Sequence, residues 1–455
     1  MSTLVEQLST YAATLRYEDL PDDVIRQAKH LIVDTVGCAL GGYWSEPARI
    51  ARDIAASVRS SEPVTVIGSS ERSSVDLATF ANGVMIRFLD FNDGYTSIGE
   101  SGHPSDSIAA VLSTAELRRR SGKEVIAATV LAYEVFCRVC DQADLKPLGF
   151  DHVTVGGMAS TAAAARLMGL DAGEIAQALN LGIAPNVALY QTRIGHVSMW
   201  KGCAYANASR NAVFAVMLAA RGMTGPSPVF EGVGGYFKAV TRTPFALPVM
   251  GGGANPYKIL ECSIKRFPLG QYSQTVVEAA LELKEKVGSP GDIAEIRIET
   301  VTTAIRLMAG DPDKWEPETR ETADHSMPYT VAVALLHGAV EERHFGERYL
   351  RDPEIRALAK RVKVKATGEA DARMPDAMLC RMEIVTSAGQ SFQSVVEYHR
   401  GHWKNPMSQH EVEGKFSKLA ADVLKPAQAE RLLDALWRLD ELADAGEIVR
   451  LTTPA

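Results

Sequence analysis

The stretch Met85–Asp106, MIRFLDFNDGYTSIGESGHPSD, brings together the residue types that proton transfer needs. Asp90 and Asp93 flank Asn92, and a glycine-containing loop leads on to Gly102-His103-Pro104-Ser105. Pro104 has no amide hydrogen and biases His103 toward extended backbone, which argues against a mid-helix position for the histidine. Two carboxylates at a helix end and an imidazole on the following loop can converge on a pocket. There a carboxylate orients the ring and holds its charge while the ring moves protons near neutral pH. The same residues also describe a solvated helix end followed by a hydrogen-bonded histidine, because Asp and His pairs are common.

Further candidates lie along the chain. His152 precedes Val153-Thr154-Val155-Gly156-Gly157 and an alanine-rich stretch. A histidine before a helix N-terminus can stay neutral and donate a hydrogen bond, or simply cap the helix. Lys201 opens another helix, where the dipole favours anions; ammonium and helix end together would make a carboxylate site, against the alternative of a surface lysine. Lys265 and Arg266 stand beside Phe267-Pro268 at an expected domain junction, a common place for small-molecule sites, although a solvated basic pair reads the same way. The run ETRETADHSMPY offers His325 and Tyr329 as a second imidazole and a phenol, or a helix cap at Asp324 or Ser326.

The elements that must position these residues are mostly helices. Asp22 or Asp23 caps a helix with Ile25, Ala28, Leu31, Ile32 and Val36 on one face, stopped at Gly41-Gly42. Helices follow over 73–89, 107–120 and 124–140. From Met158 they become rich in alanine, which favours close helix packing. Asp171 and Glu174 form a capping-box start. Beyond Pro248 the pattern changes. Ile293–Ile298 and Arg361–Lys365 alternate like strands, and Cys380–Val385 and Ser391–Tyr398 flank the turn Ser387-Ala388-Gly389-Gln390. A helix over 326–336 lies between them, and helices from His410 and Pro426 close the chain. We expect a mainly α protein: a helical domain over 1–268 and 398–455, with a smaller α+β lid domain over 269–397 inserted in it.

Composition narrows the function. At 455 residues the chain is long enough for two domains, and 46% hydrophobic with 23% charged residues suits a globular protein. A formal net charge of −8 argues against a nucleic-acid partner, but not against an anionic substrate in a local positive pocket. No basic leader precedes a long apolar run, and no run is long enough to span a bilayer, so we expect a cytoplasmic protein with no membrane partner. Of the six cysteines only Cys137 and Cys140 are close, and they continue a helical pattern, so we expect no cluster there. There is no nucleotide-binding glycine motif, no HExxH, no nucleophile elbow and no metal-ligand spacing. The remaining equipment is acids, histidines and lysines, suited to proton chemistry on a polycarboxylate with no metal and no cofactor.

Several stretches together resemble the MmgE/PrpD family: LIVDTVGCALGG, FLDFND, GHPSD, FDHVTVGGMAS, SMWKGCAYANASR, KRFPLGQYSQ, ETRETADHSMPY and GHWKNPMS. They run in order along nearly the whole chain. The family includes 2-methylcitrate dehydratases, cis-aconitate decarboxylases and an iminodisuccinate epimerase. The resemblance implies a helical domain with an α+β lid, a homodimer and no required metal. It assigns the active site to Asp90, His103, His152, Lys201 and Lys265; Asp93, Arg266, His325 and Tyr329 are the substrate-binding candidates that the residues themselves offer. One departure is Gly94, where relatives often carry threonine; Thr96 or Ser97 is the expected replacement. The motifs look closer to the dehydratases, so the expected activity is a hydro-lyase acting on 2-methylcitrate in propionate catabolism. The alternatives are a decarboxylase, an epimerase, or a catalytically silent binding protein, the last favoured by Gly94 and opposed by the retained acids, histidines and lysines.

Overall fold

Apolar residues at helical spacing, closed off by capping side chains, build most of this chain. The computed structural model describes residues 2–195 and 197–454. The fold is mainly α, as expected, and divides into two compact units.

The helical unit comprises Met1–Thr192, Gly202–Ser263 and Met407–Ala455. Its helices are α1 (Leu4–Thr14), α2 (Asp22–Gly41), α3 (Glu46–Ala56), α4 (Val75–Phe88), α5 (Ile108–Arg118), α6 (Gly122–Cys140), α7 (Val153–Met168), α8 (Ala172–Ile183) and α9 (Trp200–Ala219). A ribbon of β1 (Val64–Thr65) and β2 (Arg72–Ser73), without a sequence signal, precedes α4. The Asp171/Glu174 capping box opens α8 as its spacing predicts: each side chain accepts from the other residue's amide. Cys137 and Cys140 lie buried on α6, which is covered nearly all round. Small residues let α7 pack closely. A β-carbon at Gly156 would stand 2.3 Å from the Tyr205 ring, so only glycine fits there.

The helix Gln409–Ala420 returns to this unit and lies against α2. Its Lys415 reaches Asp34 Oδ1 at 2.6 Å and donates to the Phe91 carbonyl at 2.7 Å. A buried ion pair thereby holds the backbone between Asp90 and Asn92.

The second unit comprises Arg193–Lys201 and Ile264–Pro406. Its four-stranded sheet has the order β4-β3-β5-β6, with β3 (Ile293–Thr300), β4 (Val362–Ala366), β5 (Cys380–Thr386) and β6 (Ser391–Val396). The β3–β4 pair is parallel, so it needs a crossover, which contains the helix Met327–His337. The β5–β6 pair is the expected hairpin, with Gly389 supplying a positive φ of 78° in its turn. One face of the sheet packs with α10 (Gln274–Val287) and the Met327–His337 helix around Val276, Ile296, Ile298 and Val333. The unit extends beyond 269–397 at both ends. The Ile264 amide donates to the Gly401 carbonyl at 2.9 Å, which binds the Lys265 segment and the GHWKNP segment into one structure.

Lys415→Met tests the tie beneath the Asp90 loop. It leaves Asp34 buried without its ammonium and should cost about 3–5 kcal/mol, read as a lowered urea midpoint. An unchanged midpoint would show that the pair contributes nothing net.

Candidate functional site

Helix α4 ends at Phe88, and Asp90 follows in a left-handed conformation with φ 51°. This backbone is costly for a non-glycine residue. It is held by Arg87, whose Nη1 donates to Asp90 Oδ1 at 2.7 Å and whose Nε lies 3.5 Å from Asp106 Oδ2. All three side chains are buried. Asn92 completes the frame by donating to Ser105 Oγ at 2.9 Å and to Asp106 Oδ1 at 2.7 Å.

Asp93 is buried behind this frame. Its carboxylate accepts from Tyr133 on α6 at 2.7 Å and from the Ser105 amide at 3.2 Å. Burial raises its carboxyl to about 6, against the lowering effect of those donors. Its backbone carbonyl lies 2.6 Å from His103 Nδ1. A carbonyl only accepts, so the hydrogen sits on Nδ1, and in the neutral ring the lone pair is on Nε2. The orienting contact on His103 thus comes from the Asp93 backbone, while Asp90 is held by Arg87.

His152 joins His103, with ring centroids 5.5 Å apart and planes at 73°. It sits at the N-cap of α7, with Nδ1 3.2 Å from Asp151 Oδ1, and that oxygen also accepts from the Val153 amide at 3.0 Å. The approach depends on Gly102, where a β-carbon would lie 2.5 Å from the His152 ring. The loop between the acids and His103 is closed by paired backbone bonds of Tyr95 with Gly102, and of Gly94 with Ser263. Ser97 Oγ donates to the Cys140 carbonyl at 3.1 Å, so its hydroxyl is engaged in holding that loop.

In the second unit, Lys201 Nζ lies 2.7 Å from Asp324 Oδ1 and 2.9 Å from His325 Nδ1. Arg320 Nη1 approaches the other Asp324 oxygen at 3.3 Å. A metal ion taken up by Asp324 and His325 would have to displace Lys201. Lys265 is buried, and Arg266 lies 3.7 Å from Glu278. Burial, helped by the charges of Lys265 and Arg266, pushes the His399 imidazole down to about 4. Tyr329 does not join these groups: its hydroxyl donates to the His344 carbonyl at 2.5 Å, and its ring belongs to the core.

The structure therefore gathers Asp90, Asp93, His103 and His152 in the helical unit, and Lys201 with His325 in the second. Sequence reading missed Arg87, Asp106, Tyr133 and His399, and took Asp324 only as a cap. A signal for Arg87 existed in its place one turn before Asp90.

The MmgE/PrpD N-terminal domain profile matches residues 6–247, and the C-terminal domain profile matches residues 267–441. The chain belongs to the MmgE/PrpD family. It is 30% identical to a 2-methylcitrate dehydratase of Cupriavidus necator, over 76% of this chain and 74% of that protein. A 2-methylcitrate dehydratase of Escherichia coli K12 is 29% identical over 82% and 81%. A human cis-aconitate decarboxylase is 26% identical over 99% and 95%. These relatives support an enzyme of this family acting on a small polycarboxylate. No helix among the described residues is long and apolar enough to cross a membrane.

The Asp93 carboxyl gives a signed pH effect. Its folded value of about 6 lies above the ordinary 3.8, so the folded state binds the proton more tightly. Stability contributed by this group therefore falls as pH rises through that window. Asp93→Asn removes the effect. The variant should gain on the parent between about pH 4 and 7, by roughly 3 kcal/mol at most. Urea midpoints at both ends check this, and a constant gap would contradict it.

Proposed function

We propose that this protein is a cofactor-independent hydro-lyase that removes water from 2-methylcitrate or a related hydroxy-polycarboxylate, within propionate catabolism. The observation that carries the reading is His103, fixed through Nδ1 so that in the neutral ring Nε2 holds the lone pair, with His152 beside it. Dehydration removes a proton from carbon next to a carboxylate and protonates a departing hydroxide. His103 serves as the acid/base, and His152 as the second proton-transfer group. Asp90, with Arg87, fixes the local charge. Lys201 and Lys265 hold substrate carboxylates and stabilise the enediolate. We further propose that it works as a cytoplasmic homodimer and that the second unit acts as a lid.

Support for dehydration over decarboxylation comes from the 30% identity to the Cupriavidus necator enzyme. The coverage of 99% of this chain by the human cis-aconitate decarboxylase supports decarboxylation as the second reading. Both reactions pass through a carbanion or enediolate beside a carboxylate, so the same groups serve either.

The test is turnover of 2-methylcitrate, citrate, cis-aconitate and iminodisuccinate with excess EDTA, followed by proton NMR. Loss of water from 2-methylcitrate is expected. Release of carbon dioxide from cis-aconitate would favour the second reading, and tight binding without turnover would favour a silent protein. With the substrate in hand, His103→Ala should lower kcat by about 10²–10⁴-fold. Lys265→Ala should chiefly raise KM. Near-normal turnover by a folded His103→Ala protein would transfer the acid/base role to His152.

A further inference from the structure

In the second unit three polar atoms stand mutually within hydrogen-bond reach. Lys201 Nζ is 2.7 Å from Asp324 Oδ1 and 2.9 Å from His325 Nδ1, and that Nδ1 is 2.5 Å from the same Oδ1. An imidazole nitrogen has one in-plane position, which holds either a lone pair or a hydrogen. As a lone pair, Nδ1 accepts from the Lys201 ammonium but has no hydrogen for the carboxylate. As N–H, it donates to Asp324, and Lys201 is then matched to it only as an amine. The two arrangements carry the same total charge. They differ by one proton moved across the Nζ–Nδ1 contact.

Asp324 supports both arrangements. It is fully buried, touches both nitrogens, and has Arg320 on its other oxygen. Lys314, lowered by burial and then by the charge of Lys201, faces the same group. The His325 side chain keeps 23% exposure, so its ring can exchange a proton with solvent. Gly270 leaves room for that ring: a β-carbon there would lie 3.3 Å from Nε2 and 2.6 Å from Met308.

We propose that Lys201, Asp324 and His325 form one proton-sharing group, and that this group is the acid that protonates the departing hydroxide. The inference rests on the hydro-lyase reading and replaces both a carboxylate-binding role for Lys201 and the second proton-transfer role of His152. The C–O bond breaks with its electron pair on oxygen, and the Nζ proton joins that oxygen to make water. The group is left one proton short, with Lys201 as amine and His325 neutral, and solvent restores the proton through His325. The proton taken from carbon by His103 leaves to solvent, so the balance closes at one water lost. Asp324 is a positioning residue in this scheme.

The test is titration of the His325 ring by nitrogen-15 NMR in histidine-labelled protein, with His325→Gln for assignment. Lys201→Met removes a neighbouring positive charge and should raise the His325 midpoint by about one pH unit or more. Asp324→Asn should lower it by a similar amount. Midpoints within about 0.3 units of the parent in both variants would overturn the sharing. If Asp324→Asn does not fold, Lys201→Met decides alone. On whichever acid is turned over, Lys201→Met should lower kcat about 100-fold with KM little changed. A raised KM with unchanged kcat would overturn the acid role. If none of the acids is turned over, the hydro-lyase reading and the acid role fail together, while the titration still decides proton sharing.

Discussion

The hydrogen bond from His103 Nδ1 to the Asp93 carbonyl at 2.6 Å is the constraint on which the helical unit's site depends. It fixes which nitrogen carries the hydrogen and where the other points. A backbone acceptor cannot rotate away as a side chain can, so the orientation is as firm as the main chain itself. That main chain is held from several directions. Tyr133 and Ser105 hold the Asp93 carboxylate, Gly94 pairs with Ser263, and Lys415 accepts the duty of holding the Phe91 carbonyl.

Burial of so many charges is costly, and the arrangement offsets it by sharing. Arg87 serves Asp90 and Asp106 together, and Asp324 serves Lys201, His325 and Arg320. Such groups are poor sources of net stability, since desolvation competes with attraction. Their value lies in fixed geometry, because each shared charge holds its partners in one arrangement. The left-handed Asp90 fits this account as a strained residue held by its surroundings.

Much of the fold was legible because its causes are local. The α2 face, the Asp171 capping box and the β5–β6 turn each follow from residues within a few positions of one another. The limits of the second unit were not legible, because the Ile264–Gly401 bond joins segments far apart in sequence. The β1–β2 ribbon is too short to show a period. Site residues were legible by type, and His103 and His152 do meet. Their partners were less so. An arginine inside a helix normally reads as solvated, which hid Arg87. The orienting role of Asp93 belongs to its carbonyl, which no side-chain pattern can reveal. Tyr329 carried the composition of a site residue, but its phenol is used within the core.

The most direct test of the account is the tautomer of His103. A long-range proton–nitrogen correlation spectrum of histidine-labelled protein, assigned with His103→Asn, reads it from the two ring nitrogens. The account predicts a neutral ring protonated at Nδ1, with Nε2 unprotonated. A neutral ring protonated at Nε2 would contradict it, because His103 could not then donate to the Asp93 carbonyl or present the lone pair assigned to it.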